Sequence, residues 1–321
     1  MLRAYAKLCS RVRYVSVPPV LILAFNRPDH TKRLISSLSP FAPSEIVFAV
    51  DGPRSNHSND LQNVLRTQES VDAINWPCNV KTIFRQQNLG LRHAVVDAVS
   101  ETISTYGRAI VLEDDVEVGP NFLGYMTAML TDFQDDERVA HVNGYNVVPP
   151  SHLNNPNHQS RLTKYIESFA WATWERAWKN YDPFITDDPE RIISNLTHQL
   201  GSLGSNKWKI NFSDARNERI NTWAYRWMAS IWKQNQLVLS PNQNLVRYTG
   251  NDVGTHVVRR PKWTELPVTD SLNSLDKSIV EFDELADQWI GQTVFGESLF
   301  GIVEGIAHST ILELRQRFRI S

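Results

Sequence analysis

Four apolar runs, each closed by a polar break and followed by a stretch with helical spacing, organise the first third of the chain. Pro19 to Phe25 is continuously apolar, as a parallel strand covered on both faces requires, and Asn26-Arg27-Pro28-Asp29 ends it. Thr31 to Leu38 then places Leu34, Ile35 and Leu38 on one helical face ahead of Pro40. Ile46 to Val50 repeats the strand pattern and ends in Asp51-Gly52-Pro53-Arg54, and Leu61, Val64 and Leu65 mark a second helix. Val80 to Phe84 is a third, more polar strand. After the loop Arg85 to Arg92, the residues Leu91, Val95, Ala98, Val99, Thr102 and Ile103 share a helix face that ends before Gly107. Ala109 to Leu112 is the fourth run. Strand and helix alternate, which predicts an α/β class: a mostly parallel sheet flanked by helices, with right-handed crossovers.

The fourth run ends in three adjacent carboxylates, Glu113, Asp114 and Asp115. Side by side at the mouth of a buried strand they repel, and the repulsion is poorly screened, so the arrangement suits a cation or a set of donors among them. A solvated acidic turn is the competing reading. Hard oxygen ligands of this kind suit Mg²⁺ or Mn²⁺, which keep one or two protein carboxylates and complete their shells with substrate phosphates and water. A parallel sheet gathers Asn26-Arg27, Asp51 with Arg54, and the three acids at the carboxyl ends of its strands, where open α/β sheets bind ligands. No glycine-rich dinucleotide or P-loop pattern follows the first strand, so a metal together with Arg27 or Arg92 has to hold any diphosphate.

Downstream, Pro120 opens a predicted helix with Phe122, Met126, Met129 and Phe133 on its inner side, and a strand runs from Val139 to Asn143. Trp171, Trp174 and Trp178 fall at helical spacing. Core packing accounts for at least two of them, although aromatic faces also suit a sugar ring. Trp223, Tyr225, Trp227 and Trp232 form a second aromatic set before the apolar Leu237-Val238-Leu239. His256, in a polar loop, is a candidate metal ligand or phosphate donor, but a lone histidine is more often neither. From Ile279 to Phe318 the helical periodicity is interrupted by Gly291, Gly296, Gly301 and Gly305.

Composition narrows the function classes. With 321 residues, 41% hydrophobic and 21% charged, the chain can bury a substantial core, and a net charge of -2 argues against nucleic acid as a partner. Two cysteines fit a reducing compartment. The lack of a long apolar run or signal-like segment adds to the expectation of a cytoplasmic protein. Arg3, Lys7, Arg11 and Arg13 precede the first acid, Asp29, and the end of the chain again mixes arginine with apolar residues. Such termini suit peripheral contact with an anionic membrane surface at the inner face of the plasma membrane, with a solvated tail as the alternative for the first of them. The expected division is a basic arm over 1–17, a domain over 18–260 with a nucleotide-binding half to about 120 and an acceptor half from about 121, and a helical C-terminal extension over 261–321.

The segments LILAFNRP, VFAVDGPR, QQNLGLRHA and AIVLEDDVEVGPNFLGYM together resemble GT-A (Rossmann-like) fold glycosyltransferases. The likeness is to family 2-like bacterial sugar transferases and, more distantly, N-acetylglucosaminyltransferase I. It spans Val20 to Val257; FAWATWERAWKNYD looks like the acceptor-side aromatic segment. The resemblance implies an inverting, metal-dependent transfer from a UDP-sugar to a carbohydrate or lipid-linked acceptor. It implies Asp115 as metal ligand, Asp114 near the ribose, Glu113 near the donor sugar, Asp51 accepting from the base with Arg27 nearby, and Gly90 and Arg92 along the nucleotide. One departure stands out: Asn221 and Ala224 occupy the places where relatives carry the carboxylate that serves as general base. Glu218 and Asp214 are the nearest acids, and Glu175 the next candidate. A sugar nucleotidyltransferase and a non-catalytic carbohydrate-binding relative are the alternative readings.

Overall fold

Continuous apolar runs do become central strands. The computed structural model describes residues 17–194, 196–250, 266–273 and 280–318. Its first third alternates β1 (Val20–Ala24), α1 (Pro28–Leu38), β2 (Glu45–Val50), α2 (Asp60–Gln68), β3 (Asn79–Phe84), α3 (Leu91–Tyr106) and β4 (Arg108–Glu113). Then come β5 (Val116–Val118), α4 (Phe122–Asp132), β6 (Val139–Asn143), β7 (Ser160–Thr163), β8 (Ala170–Trp174), α5 (Glu175–Trp178), α6 (Pro189–Ser194) and α7 (Thr197–Arg216). The remaining elements are α8 (Trp223–Lys233), β9 (Leu237–Pro241), β10 (Val246–Tyr248), α9 (Glu284–Thr293) and α10 (Leu299–Phe318).

The main sheet has the order β3-β2-β1-β4-β8-β6-β9-β7, a Rossmann-like mixed α/β arrangement with helices around it. β1 pairs in parallel with β2 on one side and with β4 on the other. The chain therefore reverses its direction of growth between β1 and β4, and this strand pair is the sheet's topological switch point. β8 and β7 run against their neighbours, β8 between β4 and β6 and β7 at the edge beside β9. Val20, Leu21, Ile22, Ile110, Val111 and Leu112 have no solvent exposure, which explains the unbroken apolar runs.

The tryptophan segment differs from its predicted helix. Trp171 and Trp174 lie on β8, and only Trp178 is helical, in the short α5. All three are buried, as the core reading expects. Trp171 stacks on Trp223 at 5.1 Å and on His141 at 5.0 Å, so these rings join β8, β6 and α8 rather than presenting free faces. The C-terminal helices are tied to the segment after β7 and to α7 by buried and half-buried polar contacts. Asp287 of α9 accepts from the Lys164 backbone N–H at 3.0 Å and pairs with its Nζ at 2.8 Å. Glu297, between α9 and α10, accepts from Tyr165 Oη at 2.6 Å and Trp208 Nε1 at 2.7 Å. Among the described residues no helix is long and apolar enough to cross a membrane.

Candidate active site at the β1–β4 switch point

The loops leaving β1 and β4 meet over the switch point. Arg27, between β1 and α1, pairs with Asp114, and its Nη1 lies 3.3 Å from Asp115 Oδ2. Asp114 also accepts from the Phe25 backbone N–H at 3.4 Å. Behind them the short sheet of β5 and β10 fixes the loop: Tyr248 pairs with Val116, and Thr249 N donates to the Asp115 carbonyl at 2.7 Å. His30 of α1 donates from Nε2 to the Thr249 carbonyl at 3.2 Å, so α1 is tied to the same loop.

Burial sets the electrostatics. It raises Glu113 well above the usual carboxylate range, and the charges of Asp115 and Asp114 add to the shift. Asp114 is pushed up to about 6 by burial, which the Arg27 charge only partly offsets. Asp115 is raised for the same reason. For Arg27, burial works against the charge, but Asp114 and Asp115 outweigh it and hold the guanidinium protonated. Three acids facing one arginine leave the site short of positive charge.

A divalent ion fits that shortfall. Asp115 Oδ1 is buried and has no hydrogen-bond partner, an arrangement that costs free energy unless something is bound to it. Among the described residues no three His, Cys, Asp or Glu side chains cluster closely enough to form a protein cage. An ion here would rest on Asp115 and draw its remaining ligands from diphosphate oxygens and water, as Mg²⁺ and Mn²⁺ commonly do. His256 lies outside the described residues.

The expected role of Asp51 needs correction. Its two oxygens accept from the backbone N–H groups of Gly52 at 2.8 Å, Leu89 at 2.9 Å and Gly90 at 3.0 Å, and from Asn88 Nδ2 at 2.9 Å. A carboxylate offers about four acceptor positions, and these donors fill them, so Asp51 ties down the loop entering α3 instead of reading a base. Gly52 permits this closeness, since a Cβ there would stand 2.3 Å from the Gln87 carbonyl carbon. Gly90 contributes its N–H to Asp51 and a φ of 76° at the N-cap of α3. A second carboxylate at this edge does similar work: Asp60 accepts from Arg54 Nη2 at 2.9 Å and from Asn26 Nδ2 at 2.8 Å, and the Arg54 contact above all holds its pKa at about 2.

The proposed bases are separated by the fold. Glu175 follows β8 at the end where Trp174 pairs with Arg108, the start of β4. That puts it roughly 17 Å along the strand from Glu113 at about 3.3 Å per residue, on the wrong edge of the sheet, and removes it as a base. Glu218 has φ 58° in the turn before α8 and binds Arg92 Nη1 through both oxygens, at 2.8 and 2.7 Å. Arg226 adds a contact at 3.2 Å. Burial would raise its pKa, but the two guanidiniums hold it below the usual range, the opposite of what a proton acceptor needs. Arg92 is thereby neutralised by Glu218. Asp214 is buried and bound by Arg219 at 3.1 Å and Ser309 at 2.6 Å.

Glu167 is a further buried carboxylate at this end of the sheet. It lies in the segment entering β8, two residues before Phe169, whose carbonyl accepts from the Glu113 N–H at 2.9 Å. Asn143 at the end of β6 holds the Glu167 N–H at 2.8 Å. No donor meets its carboxylate among the described residues, and burial pushes its pKa up to about 8, with Arg161 offsetting only part of the shift. Nothing in the local sequence signals this, because the burial comes from strands distant in the chain.

No family model and no curated protein matches the chain. Among solved structures, UDP-glucose pyrophosphorylase complexed with UDP-glucose is similar at 11% identity and a TM-score of 0.30, over 51% of this chain and 78% of that one. A likeness so weak leaves the assignment of function to the site itself.

Proposed function

We propose that the protein is a metal-dependent glycosyltransferase that moves a sugar from a nucleoside diphosphate sugar, a UDP-sugar in the first instance, to a hydroxyl of a carbohydrate or lipid-linked acceptor. The observation that carries this reading is the junction of Arg27 with Asp114 and Asp115 at the β1–β4 switch point, together with the unpartnered Asp115 Oδ1. The GT-A likeness of the same segments supports it.

The residues divide the work. Asp115 would hold the divalent ion, and a bound Mg²⁺ or Mn²⁺ supplies charge neutralisation for the diphosphate leaving group. Arg27 keeps Asp114 and Asp115 in place and adds a positive charge at the same point. The loop over 88–90, pinned by Asp51, presents the start of α3 to the donor. The acceptor oxygen attacks the anomeric carbon, the bond to the diphosphate oxygen breaks, and the diphosphate takes the electron pair. Glu167, two residues before the Phe169 whose carbonyl accepts from Glu113, takes the acceptor's proton; a positioned base contributes about a hundred- to ten-thousand-fold in rate.

Incubation with a panel of nucleotide sugars, Mn²⁺ and glycan or lipid-linked acceptors tests the proposal. Release of nucleoside diphosphate with a glycosylated acceptor is expected. Formation of nucleoside triphosphate from the nucleotide sugar and pyrophosphate would instead show a nucleotidyltransferase, and donor binding without turnover would show a carbohydrate-binding relative.

A further inference from the structure

Helix α10 packs on α7 with one side only. Lys207 Nζ donates to the Gly301 carbonyl at 3.0 Å, Ser309 Oγ donates to Asp214 at 2.6 Å, and Gln316 donates to the Asn217 carbonyl at 3.1 Å. On the other side runs an apolar stripe that no other described residue covers. Phe300 is 73% exposed, Val303 65%, Ile311 50% and Leu314 47%, and with the exposed Ala307 they recur at helical spacing along a single stripe. From Phe300 to Leu314 the stripe is about 21 Å long at 1.5 Å per residue.

We propose that α10 lies on an anionic lipid bilayer through the face carrying Phe300, Val303, Ala307, Ile311 and Leu314. Charge favours this occupant. On a helical wheel Arg315 and Arg317 stand about 80° to either side of the stripe, the positions from which long basic side chains reach headgroups while their stems stay on the apolar surface. Glu313, the acid in their turn, is already bound by Arg317 at 2.7 Å and by Arg219 at 3.4 Å. Arg315 has no carboxylate partner among the described residues. Glu304, on one shoulder near the start of the stripe, is the opposing charge. The first sixteen residues add Arg3, Lys7, Arg11 and Arg13 and no acid, so both ends of the chain carry a basic, partly apolar segment of the kind that anionic leaflets attract. An enzyme held this way would meet acceptors at the membrane surface, although the inference does not depend on the reaction.

Co-sedimentation of the full chain with vesicles tests it, using phosphatidylcholine alone or mixed equally with phosphatidylglycerol. Binding to the mixed vesicles is expected, weakened by added salt. A double variant, Val303→Glu with Ile311→Glu, should lower the partition coefficient about tenfold or more. Both positions are exposed, so the circular dichroism spectrum should be unchanged. Absence of binding, or equal binding by the folded variant, would overturn the proposal. So would a wild-type dimer in light scattering that the variant dissociates, since the stripe would then be a surface for a second copy.

Discussion

Arg27 and Asp115, 88 positions apart in sequence, lie within 3.3 Å of each other across the β1–β4 pair. The contact puts a fixed cation between two acids that would otherwise repel, and it leaves one Asp115 oxygen without a partner. Arg27→Ala should therefore do more than remove a contact. Breaking a largely buried pair leaves uncompensated charge and costs about 3 kcal/mol, less to the extent that the partly exposed guanidinium is screened by solvent. Urea unfolding without metal measures the loss, and added Mn²⁺ should recover part of it.

The acids also set a pH dependence. Asp114 has a folded pKa of about 6, above its unfolded value of about 3.9. Between these values the folded state holds a proton that the unfolded state has lost, so metal-free stability should fall as pH rises from about 4 to 6. Asp114→Asn should flatten that part of the profile. An unchanged slope would mean that the carboxylate is ionised in the folded protein.

Asp51→Ala tests a structural role. Four donors lose their acceptor, and hydrogen bonds to a charged group are worth about 1.5–3 kcal/mol each before relaxation and rehydration. The expected result is a clear drop in stability, with faster hydrogen exchange over 88–90 and weaker nucleotide binding as a consequence. Weaker binding with unchanged stability and exchange would restore direct contact with the base.

The proton acceptor can be tested by comparison. Glu167→Gln should slow transfer at least a hundredfold, on the order expected for loss of a positioned base, with little change in donor affinity. In the wild type, the rate should rise with pH toward about 8 as Glu167 ionises. Glu218→Gln should instead loosen Arg92 and the turn before α8. If Glu218→Gln proves the slower enzyme and Glu167→Gln is near normal, the assignment is reversed. Ala224→Asp adds a further arm, because Ala224 sits in the first turn of α8 beside its cap Thr222, where a carboxylate suits the helix dipole. A large gain in transfer there would show that the chain lacks an effective base of its own.

The opening strand–helix part was legible because parallel strands covered on both faces must be apolar throughout. Helix α4 was legible for a related reason: Phe122, Met126, Met129 and Phe133 are all buried where the periodicity placed them. Strand β8 was not, since the spacing of Trp171, Trp174 and Trp178 imitates a helix while its actual environment, between β4 and β6, is set by residues far away. The three-residue strands β5 and β10 are too short to leave a pattern. The acid triplet announced a charged site with Arg27 at the same sheet edge, but the direct pairing of Arg27 with Asp114 and Asp115 is a tertiary fact. The roles of Asp51, Glu167, Glu175 and Glu218 turned on burial and partners that no local pattern encodes.

On the proposed reading, Asp115 holds a metal ion that in turn holds a nucleoside diphosphate. Calorimetric titration of UDP into the wild type and Asp115→Ala, each with Mn²⁺ and with chelator, addresses it most directly. Wild-type binding should require Mn²⁺, and the folded variant should bind at least tenfold more weakly and be indifferent to the metal. Metal-dependent binding of equal strength in both proteins would exclude Asp115 as the ligand of that ion.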